Sequence, residues 1–148
     1  MKFKDLGLCK EILLSINNIG YKEPTEIQKK AIPNILMGRD ILGCAQTGTG
    51  KTGSFIMPLI EILNSGKSKS RMPRSLVLVP TRELAIQVSE EFNKINKYLK
   101  LQMVLLIGGT SFAEQDNKLA KGVDVLIATP GRLLDHIERG KVIIKDVK

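Results

Sequence analysis

Ala45-Gln46-Thr47-Gly48-Thr49-Gly50-Lys51-Thr52 lies between an apolar run, Asp40 to Ala45, and a helical pattern, Gly50 to Asn64. Strand, glycine-rich turn, Lys-Thr, helix: this is the phosphate-binding loop pattern, with Ala45 where the usual first Gly would stand. Gly48 and Gly50 let backbone N–H groups turn inward around a β-phosphate. The N-terminus of the following helix adds its partial positive charge. Lys51 reaches the β- and γ-phosphates, and the Thr52 hydroxyl ligates Mg²⁺. Average Gly, Lys, Ser and Thr usage produces such a string by chance in roughly one in a hundred chains of this length. The loop does not name the base. A guanine site would carry Asn-Lys-x-Asp, and the nearest string, Asn96-Lys97-Tyr98-Leu99, lacks the acid.

Outward from the loop, three further apolar runs stand out: Ser75 to Val79, Gln102 to Ile107 and Val123 to Ala128. All are rich in Val, Ile and Leu and too continuous to be one-sided, as strands covered on both faces should be. Between them lie helical patterns, Arg82 to Leu99 and Ser111 to Lys121. Strands alternating with helices predict an α/β domain, a parallel sheet with helices on both faces. The first 38 residues form a different block. There Leu8 to Ile19 reads as one amphipathic helix and Glu26 to Lys30 as a short second one, while Pro33 is placed to open a third. The stretch Lys67 to Arg74 holds four basic residues and no acid. A solvated connection is the plain reading of it, an RNA-binding arm the alternative.

With 148 residues, 43% of them hydrophobic, the chain can bury a core, and disorder is excluded as its global state. A formal net charge of +8 favours polyanionic partners without saying which. No apolar run approaches the roughly 18 residues of a membrane span, and no signal peptide is evident. Cys9 and Cys44 have no metal-type spacing, and two lone thiols point to a reducing, cytoplasmic setting. His136 is the only histidine and reads as a surface residue rather than a ligand or base.

In an open α/β sheet, ligands sit beyond the carboxyl ends of the strands. There the sequence carries Pro80-Thr81-Arg82-Glu83, Gly108-Gly109-Thr110 and Thr129-Pro130-Gly131-Arg132, each leading into a helical pattern. Thr81 and Thr129 suit N-caps, Pro130 suits a first helical position, and Ser111 with Glu114 has capping-box spacing. Capping does not account for Arg82 and Arg132 beside the threonines, nor for the glycine pair. Helix N-termini with free N–H groups plus Arg make phosphate sites. Capping and nucleic-acid contact both stay open at this point.

Taken in order, Gly20-Tyr21-Lys22-Glu23-Pro24-Thr25-Glu26-Ile27-Gln28, the loop ending Gly50-Lys51-Thr52, Pro80-Thr81-Arg82-Glu83-Leu84-Ala85, Gly108-Gly109 and Thr129-Pro130-Gly131-Arg132 resemble the DEAD-box ATP-dependent RNA helicases. The resemblance covers nearly the whole chain. Compact loops and no amino-terminal extension look more like bacterial members. It implies a P-loop NTPase (RecA-like) fold, divided into a helical adenine-recognition segment over 1–38 and a partial ATP-binding domain over 39–148. By the resemblance, Gln28 recognises the adenine edge, Tyr21 stacks on the base, Thr25 assists, and Phe3 matches an upstream aromatic. The bland reading of Gln28 is the back-reaching member of a Thr25-x-x-Gln28 capping box. Ala45, Gln46, Thr47, Gly48, Thr49, Gly50, Lys51 and Thr52 match the ATP loop, with Lys51 and Thr52 in the catalytic machinery and Thr52 on Mg²⁺. Pro80, Thr81, Arg82, Gly108, Gly109, Thr129, Pro130, Gly131 and Arg132 match RNA-backbone contacts, which are indifferent to base sequence.

Hydrolysis needs a carboxylate at a strand end to hold Mg²⁺. None of the four apolar runs ends in Asp or Glu; Asp124 falls inside one, and Asp146 follows only the short run Val142-Ile143-Ile144. The resemblance places the Asp-Glu-Ala-Asp strand just beyond Lys148 and implies a second RecA-like domain that this sequence lacks. The expectation is therefore the amino-terminal ATP- and RNA-binding part of a helicase, itself inactive in hydrolysis. A non-catalytic nucleotide- and nucleic-acid-binding module is the alternative. A small-molecule P-loop kinase leaves the Arg-bearing helix starts unexplained.

Overall fold

Of the four apolar runs, three become strands: β1 (Ser75–Leu78), β2 (Met103–Leu106) and β3 (Val125–Ala128). They form one parallel sheet in the order β1-β3-β2 in a computed structural model that describes residues 1–45, 50–66, 72–145 and 147. The helices are α1 (Lys10–Ile19), α2 (Glu26–Leu36), α3 (Lys51–Ser65), α4 (Arg82–Ile95), α5 (Phe112–Ala120) and α6 (Pro130–Glu138). The chain divides into two units, one of Met1–Gly66 with Glu91–Lys100, the other of Lys67–Glu90 with Leu101–Lys148.

In the first unit α2 packs along α3. Ile12 of α1, Ile32 of α2, and Ile56, Met57 and Ile60 of α3 are fully buried. The start of α1 is fixed from α3: the Cys9 N–H donates to the Glu61 carboxylate at 3.0 Å. That supplies from another helix the acceptor for the N-cap N–H that the N3 side chain of a capping box ordinarily provides. Pro33 does not open a third helix. It lies inside α2, which runs unbroken from Glu26 to Leu36. An interior proline costs about 3 kcal/mol by removing an N–H donor and crowding the preceding turn. Burial of Ala31 and Ile32 just before it holds the helix through the defect.

The second unit is built on β3. Its partners are in register: Leu76, Leu126 and Val104 lie side by side, as do Leu78, Ala128 and Leu106. All four residues of β3 are buried, so both of its faces are closed to solvent, as its unbroken apolar run predicts. One face carries Val104, Leu106, Leu126 and Ala128 against Leu119 of α5 and Leu133 of α6. At the amino edge Asp124 precedes β3 rather than lying within it. Its carboxylate pairs with Arg74 at 3.0 Å and accepts from the Gln102 N–H at 2.8 Å.

The run Asp40 to Ala45 is not a strand. It is irregular and lies outside the sheet, with Leu42 93% exposed. Apolar periodicity reports what a segment could bury, whereas a strand exists only where a neighbouring backbone accepts its ladder bonds. No ladder reaches this segment among the described residues.

Two adjacent leucines of α6 measure the packing. Leu133 is 5% exposed in the core and Leu134 is 56% exposed. Leu133→Ala is expected to lower stability by about 3 kcal/mol through the cavity it leaves. Leu134→Ala should change it by less than about 0.5 kcal/mol. Urea unfolding of the two variants checks the contrast.

Candidate functional site

The loop signature of the sequence ends at Gly50, which takes a left-handed conformation (φ 83°) and caps α3. Gln46, Thr47, Gly48 and Thr49 lie outside the described residues. Lys51 and Thr52 are the first two residues of α3, Lys51 exposed and Thr52 half-buried. At that position their side chains accompany the unpaired N–H groups of a helix start, which attract anions.

Gln28 reaches this loop. Thr25 and Gln28 form the expected capping box: the Thr25 N–H donates to Gln28 Oε1 at 2.9 Å, and the Gln28 N–H donates to Thr25 Oγ1 at 3.4 Å. The same Gln28 side chain also donates from Nε2 to the Gly50 carbonyl at 3.2 Å. Capping and contact with the loop are therefore one arrangement rather than alternatives. A side-chain amide has two N–H donors and two lone pairs. The capping box and Gly50 use one of each, which leaves one donor and one acceptor.

This approach explains two glycines. A Cβ on Gly50 would come within 2.5 Å of Gln28 Nε2, and one on Gly53 within 3.0 Å. Gly53 carries no signal in the loop pattern; its role is visible only once Gln28 is placed. Tyr21 lies nearby in sequence, its ring stacked on Phe3 at 6.5 Å between centroids. Its hydroxyl donates to Glu91 Oε1 at 2.6 Å. Burial and the Glu91 carboxylate push the phenol well above its ordinary range, so it stays neutral. Glu91 is missed by sequence reading, since in an acidic helical stretch nothing distinguishes it from Glu90.

The second group of residues stands where the strands of the sheet end. Because Leu78, Ala128 and Leu106 are in register, Pro80-Thr81, Thr129-Pro130 and Gly108-Gly109 leave the sheet at one rim. Thr81 Oγ1 accepts from the Leu84 N–H at 3.2 Å and so caps α4. Ser111 Oγ accepts from the Glu114 N–H at 3.1 Å and caps α5. Thr129 also stands at an N-cap, before Pro130, yet its side chain makes no cap hydrogen bond. Capping thus accounts for the side chain of Thr81 and not for that of Thr129.

The rim glycines differ in the same way. Gly109 has φ 82°, and a Cβ there would meet Arg82 Nη1 at 2.7 Å, so the Arg82 guanidinium lies directly over it. Gly108 and Gly131 have ordinary backbone angles, and a Cβ on either would meet nothing within 4 Å. Their lack of a side chain keeps open space open, as close approach of an external backbone requires. Arg132 lies 4.0 Å over the Phe112 ring, and Arg139 lies 4.4 Å from the same ring.

His136 is not a surface residue. It is fully buried, with Nε2 2.6 Å from Gln115 Oε1. Sequence spacing does not reveal its burial, because the polar partner that admits it to the interior comes from α5. Burial holds its pKa below the ordinary histidine value of 6.5; Asp116 opposes that shift, and Arg139 and Arg132 reinforce it. Among the described residues no three His, Cys, Asp or Glu side chains cluster as metal ligands.

Gly50→Ala forces a left-handed alanine against Gln28. It is expected to cost about 1–2 kcal/mol in urea unfolding and to shift the Gln28 side-chain amide resonances. His136 adds a pH dependence. With the folded pKa below 6.5, the unfolded chain binds more protons once pH falls through that value. The stability contributed by neutral His136 is full above about pH 7 and declines as pH drops through 6.5 toward the folded value. Unfolding measured across pH 7.5 to 5.5 should show this decline, and His136→Gln should remove that part of it.

The model of the DEAD/DEAH box helicase family matches residues 25–148. The ATP-dependent RNA helicase HAS1 of Chaetomium globosum is 44% identical over 147 residues, which cover 99% of this chain and 25% of that protein. The ATP-dependent RNA helicase DeaD of Escherichia coli K12 is 45% identical over 139 residues, covering 93% of this chain and 22% of its own length. A DEAD box protein from the hyperthermophile Methanococcus jannaschii superposes with a TM-score of 0.90 at 41% identity, over 100% of this chain and 40% of that one. The RNA helicase Prp28 from Chaetomium thermophilum, bound to ADP, gives 0.90 at 39% identity, over 99% and 36%. The chain thus spans about a quarter of the length of the first two relatives, and bacterial and fungal proteins match it equally well. The RecA-like P-loop fold expected from the sequence is that of these structures. By its motifs, its fold and the family model that covers most of its length, the chain belongs to the DEAD/DEAH box helicase family.

Proposed function

We propose that these residues form the amino-terminal ATP- and RNA-binding part of an ATP-dependent RNA helicase acting in the cytoplasm. In the whole protein, ATP binding and hydrolysis would drive local unwinding of RNA duplexes. The observation that carries this is the flush rim: in-register strands bring Pro80-Thr81-Arg82, Gly108-Gly109 and Thr129-Pro130-Gly131-Arg132 out side by side. Two of these segments open helices, where the N–H groups of Arg82, Glu83, Gly131 and Arg132 precede the first intrahelical bonds and can meet phosphate oxygens. Open space above Gly108 and Gly131 and the uncommitted hydroxyl of Thr129 suit a sugar-phosphate chain. Contacts of this kind hold a backbone and do not read bases, so binding is indifferent to sequence.

Residues 1–38 serve adenine recognition and 39–148 carry the ATP-binding domain. Gln28 offers its remaining donor and acceptor to the adenine edge, which presents one of each side by side. Tyr21 stacks on the base, with Phe3 beside it and Thr25 holding Gln28. Ala45 through Thr52 wrap the phosphates, with Lys51 countering the charge of the β- and γ-phosphates. Thr52 provides the hydroxyl oxygen that a hard cation such as Mg²⁺ takes as ligand, and the ion neutralises phosphate charge when bound. ADP held by Prp28, a structure of the same fold, supports this assignment.

To these residues themselves we assign binding rather than hydrolysis. Asp124, which directly precedes β3, stands at its amino end, opposite the rim, and is held by Arg74 and the Gln102 N–H.

Fluorescent ADP with Mg²⁺, competed by ADP and by GDP, tests the nucleotide half. ADP should compete at least about tenfold better than GDP, and Lys51→Ala should weaken binding by about tenfold or more. Equal competition by GDP would overturn the adenine assignment.

A further inference from the structure

Behind the rim lies a buried polar bridge that none of the proposed ATP or RNA contacts uses. Gln115 of α5 is 1% exposed and His136 of α6 is 0% exposed. Gln115 Nε2 donates to the carbonyl of Ile107 at 3.0 Å, the residue immediately before Gly108-Gly109. Since its nitrogen is thereby committed to a carbonyl, its oxygen faces His136 Nε2 at 2.6 Å and accepts from it. The imidazole thus carries its proton on Nε2, while Nδ1, 3.5 Å from Asp116 Oδ1, has no hydrogen-bond partner among the described residues. Asp116 is engaged by Arg139 at 2.9 and 3.3 Å. Phe112, the first residue of α5, meets the His136 ring edge-on at 5.2 Å and carries Arg132 on its ring.

Around this bridge α5, α6 and the sheet pack through the apolar Leu119, Leu133, Val104, Leu106 and Leu126. A buried glutamine and histidine stabilise less than well-packed leucines of similar volume, and what they add is directional geometry. That geometry runs from the end of β2 through α5 to the helix that begins Thr129-Pro130-Gly131-Arg132. We propose that Gln115 and His136 are positioning residues for RNA. Their hydrogen-bonded bridge from the Ile107 carbonyl to α6 sets the spacing of Gly108-Gly109 from Thr129–Arg132, so that both engage one RNA backbone. The inference rests on the RNA reading of the rim.

Anisotropy titration of a fluorescein-labelled single-stranded RNA tests it, with ADP affinity and thermal melting measured alongside. Gln115→Met and His136→Leu keep volume and remove the bridge; RNA affinity should fall about tenfold while ADP affinity holds. His136→Gln, which returns an N–H near the Nε2 position, should restore RNA affinity. In Gln115→Met the amide resonances of Gly108, Gly109 and Gly131 should move. Folded Gln115→Met and His136→Leu proteins that bind RNA like wild type would overturn the proposal. Should those two fail to fold, Gln115→Asn, one methylene too short to bridge, is compared with His136→Gln. Weaker RNA binding by Gln115→Asn alone supports the proposal, and equal affinities overturn it. A wild-type chain that binds no RNA, or an Arg132→Ala chain that binds as well as wild type, overturns the RNA reading itself and this inference with it.

Discussion

Parallel pairing of β1 and β2 on either side of β3 is the constraint on which the candidate RNA site depends. Parallel strands all finish at the same edge of their sheet, and here the register leaves no stagger: Leu78, Ala128 and Leu106 end side by side. Each connection then turns directly into a helix or a glycine pair. Three segments separated by tens of residues in sequence therefore leave the sheet along one line. The energy for this comes from β3, buried on both faces, and from the apolar contacts of α5 and α6 beneath it. Of the rim side chains, Thr81 caps α4, Arg82 lies over Gly109 and Arg132 rests on the Phe112 ring. That leaves Gly108, Gly131 and the Thr129 hydroxyl available for a ligand.

A second theme is the use of one buried amide to tie a helix to a loop. Gln28 closes the capping box of α2 and holds the Gly50 carbonyl, while Gln115 holds the Ile107 carbonyl and His136. An amide side chain suits both positions because it donates and accepts at once without carrying charge into the interior. Both glutamines grip a backbone carbonyl beside a glycine that has positive φ or lies within one residue of one. At such points the chain is least constrained by its own side chains, and a hydrogen bond supplies the missing restraint. The tightness of the fit is visible at Gly50 and Gly53, where any Cβ would crowd the Gln28 amide.

Much of the fold was legible in the residues, and the misreadings have a common cause. Continuous runs of Val, Ile and Leu located β1, β2 and β3 to within two residues at either end, because a strand buried on both faces must be apolar throughout. Asp40 to Ala45 has the same composition and is not a strand, since composition does not report whether a neighbouring backbone is available. Pro33 looked like a helix start and lies inside α2, because packing against α3 outweighs local propensity. His136 reads as exposed and is buried, because Gln115 satisfies its Nε2 from a different helix. In each case the deciding partner is distant in sequence.

Local chemistry was thus determined by the sequence alone: a Lys-Thr pair at a helix start, threonines at N-caps, a proline at a first helical position, glycines where the chain turns. These depend on residues within one turn of one another, so their spacing suffices to identify them. The tertiary structure decided which of those groups remain uncommitted. Thr81 is consumed by its cap and Thr129 is not; Gly109 is required by Arg82 and Gly131 is not required by the chain itself. It alone brought Glu91 to Tyr21 and Gln115 to Ile107. The physical reason is that a hydrogen bond or a steric contact is set by distance in space, and only the packing of distant segments fixes which distances become short.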